Sequence, residues 1–149
     1  MLGELSYVEV ESVLHSQVIG RIGCSDRDRV YVVPITYAYD GTFIYCHSKA
    51  GLKIALMREN PSVCFEVEEV KDMTHWKSVI LWGTFEELEG EEERNNGIQV
   101  FSERMKSLVT SESFRPMIRQ PEPHPPEIGP KPIFFRIRVR TKTGRFELG

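Results

Sequence analysis

Two runs of β-branched and aromatic residues separated by an Asp-Gly pair constrain this chain most. "RVYVVPITYAYD" (29–40) and "TFIYCH" (42–47) flank the junction around Asp40-Gly41. Such runs fit a pleated, half-buried surface. Asp-Gly readily supplies the positive φ angles of a type I′ turn, which predicts a tight antiparallel hairpin. In the first strand Val33, Ile35, Tyr37 and Tyr39 share one face. An isolated hairpin is marginal in water, and further strands are needed to bury that face. The chain offers "VIGRIGC" (18–24), a strand from about Ser62 to Val70, "WKSVILWGTFEEL" (76–88) and "IFFRIRVRTKTG" (133–144). In the last of these Ile133, Phe135, Ile137 and Val139 alternate with Phe134, Arg136, Arg138 and Arg140. Gly83, in the middle of its run, predicts a bulge or the close approach of something to its backbone.

Helical signals are fewer. Ser6 followed by Glu9 is a capping-box pattern, and Val10, Val13 and Leu14 give an apolar stripe, predicting a helix from Ser6 to His15. "AGLKIALMREN" (50–60) is a second, ended by Asn60-Pro61. "NNGIQVFSERMKSLV" (95–109) is a third, preceded by an acidic run that suits a helix N-terminus. Six of the nine prolines lie between Pro121 and Pro132, predicting a stiff surface segment over about 116–132. Strands with adjacent hairpins dominate and no repeat is visible. The expected fold is mainly β with a few helices, an antiparallel barrel in one domain over residues 1–149.

Composition narrows the function classes. A net charge of −3 does not favour nucleic acid or an acidic membrane, and no apolar run approaches the ~20 residues that cross a bilayer. "MLGELSYVEVESVL" lacks a basic leader followed by an apolar stretch, which makes the cytoplasm the expected location. Cys24, Cys46 and Cys64 contain no C-x-x-C pair and read as small buried apolar residues of a reducing compartment. His15, His47, His75 and His124 lack zinc-site spacing, so no metal is expected. G-x-G-x-x-G, P-loop and G-x-S-x-G patterns are absent, removing Rossmann and serine-hydrolase readings.

The sharpest local signal is "YCHSKAGLKI" (45–54), where a strand hands over to a helix. Two readings are open. Ser48 caps the helix while Lys49 and Lys53 extend into water. Alternatively the Ser48 hydroxyl, the Lys53 ammonium and the free N–H groups of the helix start cradle a phosphate. Trp76 and Trp82 alone read as core or interface aromatics, and His47 as a surface or partly buried histidine.

In order, "GRIGC", "VYVVPITYAYDGTFIYCHSKAGLKI", "NPSVCFEVEE", "WKSVILWGTFEEL" and "FFRIRVRTKTGR" resemble the pyridoxamine 5′-phosphate oxidase-related flavoproteins of FMN-binding split-barrel fold. Within them the chain is most similar to the nitroimidazole-resistance-like reductases. The resemblance implies a six-stranded antiparallel Greek-key split barrel, a homodimer with FMN at its interface, and no catalytic residue assigned on the protein. It implies that Val33, Pro34, Ile35 and Thr36 line the flavin ring, that His47, Ser48 and Lys53 hold the phosphate, and that Trp82 and Gly83 approach the flavin. "RIRVRTKTGRFELG" has neither the Trp-containing stretch nor the Arg-Leu-His segment of the true oxidases. The function so implied is an FMN-dependent oxidoreductase passing reducing equivalents, from a nicotinamide such as NAD(P)H, to a small electron-poor acceptor. The alternatives are a non-catalytic flavin store or electron carrier, and a split barrel that binds haem or a protein partner.

Overall fold

The computed structural model describes residues 1–108 and 132–149. Its strands are β1 (Leu2–Glu4), β2 (Ile19–Ser25), β3 (Val30–Thr36), β4 (Ala38–Tyr39), β5 (Phe43–Ser48), β6 (Ser62–Asp72), β7 (His75–Glu87) and β8 (Ile133–Leu148). Its helices are α1 (Tyr7–Ser16), α2 (Leu52–Glu59) and α3 (Glu91–Leu108). All strand pairs are antiparallel, in the order β3-β2-β6-β7-β8-β5-β4, with β1 added to β8. The six longer strands carry the expected barrel; β1 and β4, of three and two residues, raise the count to eight.

Closure of the barrel depends on Tyr37. The stretch expected as one strand over 29–40 changes partner there, its first part pairing with β2 and its last two residues with β5. Because β3 and β4 are the two ends of the sheet, the chain itself joins them. Tyr37 is fully buried, its hydroxyl donates to Leu14 O at 2.8 Å, and its N–H donates to Val18 O at 3.0 Å. The inner faces of the strands, with Ile22, Phe65, Leu81, Phe135 and Ile137, meet Val10, Val13 and Leu14 of α1 in one core.

Local chemistry explains where the elements begin. The capping box is formed: Glu9 N–H donates to Ser6 Oγ at 3.3 Å and Ser6 N–H donates to Glu9 Oε1 at 3.1 Å. Lys142 on β8 pairs with Glu11 on α1 and also meets the Tyr39 hydroxyl at 2.7 Å, tying helix to barrel. The hairpin turn differs from expectation. Gly41 has φ 100°, but no non-glycine among the described residues has positive φ, so Asp40-Gly41 is not a type I′ pair. The Tyr39↔Ile44 register moves the turn centre to Gly41-Thr42. The Asp40 carboxylate holds it, accepting from the N–H groups of Thr42 and Phe43 at 2.9 and 2.7 Å.

Helix α3 starts four residues earlier than expected and takes Glu91, Glu92 and Glu93 into its first turn. Gly97 sits inside it because a Cβ there would lie 2.6 Å from Leu88 Cδ1. The proline-rich expectation over 116–132 falls, apart from Pro132, outside the described residues. Among those residues no helix is long and apolar enough to cross a membrane.

Candidate functional site

Strand alternation sets one set of side chains on the outer face of β3, β2, β6 and β7. One row runs Val32, Gly23, Cys64, Trp82 and Thr141, each directly opposite the next. Val32 is 61% and Trp82 46% exposed. Gly23 leaves a gap between these two walls that no side chain could enter, since a Cβ would lie 2.5 Å from Cys64 Sγ. The floor is therefore backbone and one thiol. Three inter-strand spacings separate Val32 from Trp82, roughly 14 Å. An open groove of about 390 Å³ follows the row and is also lined by Val30, Gly83 and Arg140.

A bulge shapes its rim. Trp82 faces Thr141 but Gly83 faces Val139, so Arg140 is the extra residue on β8. Gly83 is required by close approach: a Cβ would lie 2.3 Å from Arg138 O. Arg140 donates to Thr84 Oγ1 at 2.5 Å and, among the described residues, pairs with no carboxylate. Arg136 and Arg138 instead share Glu86, at 2.8 and 2.9 Å. Hydrogen bonds from Arg138 and then Arg136 hold the Glu86 carboxyl below its ordinary value.

A second cluster lies where β5 hands over to α2. The N-cap of α2 is Gly51, with φ −175° and no side-chain cap hydrogen bond. Ser48 is thus not the cap; its hydroxyl donates to Lys49 O at 2.9 Å. Lys53 is half-buried and has no ion pair among the described residues. Its charge reaches the thiols of Cys24 and Cys46, where it opposes the upward push of burial without overcoming it. By alternation Ser48 follows Cys46 toward the barrel interior, whereas His47 faces α3. The His47 ring lies 4.9 Å from that of Phe101 and 5.3 Å from that of Phe134, and burial pushes its pKa down.

Of the residues singled out in the sequence, Trp82 and Gly83 line the groove. Pro34 and Thr36 follow Val32 on the outer face of β3, while Val33 and Ile35 alternate inward, Ile35 packing on the core. Ser48 and Lys53 share the barrel end, and His47 points away from both. The sequence reading missed Gly23, Val30, Val32, Cys64 and Arg140. One signal was available: β3 is apolar on both faces, a sign that something covers the second. Cys64 departs from the expectation of three buried thiols, for it is only half-buried. No group of side chains able to hold a metal occurs among the described residues.

The groove offers a flat, largely apolar surface, and the second cluster a lysine without an ion pair among the described residues. Comparison with known proteins identifies the family. An FAD-binding protein of Mesorhizobium loti superposes with a TM-score of 0.77 at 29% identity, over 100% of this chain and 98% of that one. A candidate 5-nitroimidazole antibiotic resistance protein of Bacteroides thetaiotaomicron superposes at 0.72 and 19% identity, over 98% of this chain and 87% of that one. Among curated sequences, Uncharacterized protein RA0666 of Rhizobium meliloti (strain 1021) is 39% identical over 84 residues, which are 56% of each chain. The chain thus spans about half the length of that relative. The model of the family described as Pyridoxamine 5′-phosphate oxidase matches residues 7–145, nearly the whole sequence. This chain belongs to that family.

Proposed function

We propose that this chain is an FMN-binding flavoprotein, a homodimer that serves as an oxidoreductase moving reducing equivalents from a nicotinamide to a small electron-poor acceptor. The groove between Val32 and Trp82 carries the reading. Its floor at Gly23, free of any side chain, and its indole wall fit a flat ring system. Family membership, and the FAD-binding relative aligned along the full chain at 29% identity, support a flavin in particular.

When bound, the flavin supplies the redox chemistry, and the protein supplies placement and electrostatics. Trp82 offers an aromatic face to the ring, and Val30 and Val32 shield it from water. Lys53, with no carboxylate partner among the described residues, supplies a point charge for a phosphate, and Ser48 a hydroxyl. A second copy of the chain would cover the apolar outer residues Val30, Val32 and Trp82, which otherwise stay in water. No residue is assigned as an acid or base.

FAD is the second reading, favoured by the FAD-binding relative. Titration of the full chain with FMN, FAD and riboflavin, followed by the visible flavin bands, decides between them. FMN binds tightest on the present reading. Lys53→Ala removes a charge-assisted hydrogen bond worth about 1.5–3 kcal/mol, hence roughly 10–150-fold in FMN affinity, and leaves riboflavin unchanged. Lys49→Ala is the control. A protein that ignores all three flavins overturns the proposal.

A further inference from the structure

We propose that Arg140 recognises the reduced form of the bound ring: its guanidinium, aimed into the groove by the β8 bulge, favours the singly negative reduced flavin over the neutral oxidised one. This rests on the groove being the ring's site.

Three independent features of the chain converge on Arg140. The bulge between the Trp82 and Gly83 registers makes it the unpaired residue of the ladder, and bulges re-aim side chains. Among the described residues it is the one cation lining the groove. Its neighbours Arg136 and Arg138 share the Glu86 carboxylate, whereas its own described partner is the neutral hydroxyl of Thr84. A positive charge with no carboxylate partner among the described residues, beside an indole wall, selects a planar ligand with a negative edge. Two electrons and one proton added to a neutral flavin ring give such a ligand, one negative charge spread over an edge. A phosphate dianion fits less well here, because it calls for several donors and Arg140 is alone, while Lys53 offers a charge at the barrel end.

A guanidinium hydrogen-bonded to a charged group contributes about 10–150-fold in affinity, and here it acts on the reduced form alone. By linkage that preference is a shift in midpoint potential, about 30 mV for each tenfold in a two-electron couple. The experiment measures the potential of FMN and of riboflavin bound to the wild-type chain, Arg140→Gln and Arg140→Lys, using xanthine oxidase and a reference dye. Oxidised-state affinities are measured beside them. Arg140→Gln should lower both potentials by roughly 30–65 mV, with little change in oxidised-state affinity, and Arg140→Lys should recover most of the shift. An unchanged potential in Arg140→Gln overturns the inference while leaving flavin binding intact. Loss of oxidised FMN but not riboflavin makes Arg140 a phosphate ligand and overturns it as well. A wild-type chain that binds neither flavin removes this inference and the proposed function together.

Discussion

Replacing Gly83 by alanine puts a Cβ 2.3 Å from the carbonyl oxygen of Arg138 and 2.7 Å from Ile137 Cγ2, inside the 3.0 Å that real Cβ atoms respect. To restore that distance β8 would have to retreat by about 0.7 Å. It is not free to do so, because Arg138 lies between Thr84 of β7 and Phe43 of β5. Overpacking of this kind costs about 1–3 kcal/mol, and one weakened ladder hydrogen bond adds about 0.5–1.5. The expected loss is roughly 2–4 kcal/mol, which for a chain of this size lowers Tm by about 4–16 °C. Two other glycines calibrate the measurement. Gly41→Ala meets open space but must hold φ near 100°, a strain of about 1–2 kcal/mol. Gly51→Ala meets only Lys49 O at an ordinary 4.0 Å and holds an extended φ, so it should lose no more than about 1 kcal/mol, the preference of an N-cap for glycine over alanine. Thermal and urea unfolding followed by circular dichroism would rank the three. If Gly83→Ala melts with Gly51→Ala, the close packing of β7 on β8 at the bulge is wrong.

Two further outcomes are expected. Because its arginines depress the folded-state pKa of Glu86, the stability it contributes is present above its unfolded value near ~4.3 and is lost as pH falls through the folded one. Urea midpoints for Glu86→Gln should therefore fall less steeply below about pH 4 than those of the wild type, and parallel curves would remove the Arg138–Glu86–Arg136 cluster as a source of acid sensitivity. Gly51→Asp gives α2 the side-chain cap it lacks, raising stability by a few tenths of a kcal/mol, and sets an anion near Lys53. Weaker FMN binding with unchanged riboflavin binding is the expected result, and equal effects on both ligands would count against a phosphate at Lys53.

Features encoded within a few residues were legible in the sequence. The Ser6–Glu9 capping box, the alternation of β8 and the irregularity at Gly83 all rest on local spacing. What escaped depends on partners far along the chain. Tyr37 sits in an unbroken β-rich run, and nothing local says that its hydroxyl will reach Leu14 while the strand exchanges β2 for β5. Gly97 falls inside the helix expected over 95–109, and nothing local says that Leu88 will pack against it. Asp40-Gly41 fits a type I′ turn by composition, but the register and the Asp40 carboxylate settle on the next residue. The groove was half legible. Trp82 and Gly83 came from the family resemblance, whereas Val32, Gly23 and Cys64 meet only through the pairing of β3, β2 and β6. Arg140 looked like one of three alternating arginines. The bulge that sets it apart is a property of two strands together.

Cys64 offers the most direct measurement of where a flavin sits. Cys24 and Cys46 are buried, so Cys64 is the thiol that a small alkylating reagent should reach first. Its labelling rate, followed by mass spectrometry during titration with FMN, reports occupancy of the groove itself. A flavin seated between Val32 and Trp82 would slow Cys64 alkylation in proportion to the visible-band signal of bound FMN. Bound FMN with Cys64 alkylated at its original rate would contradict the groove as the flavin site.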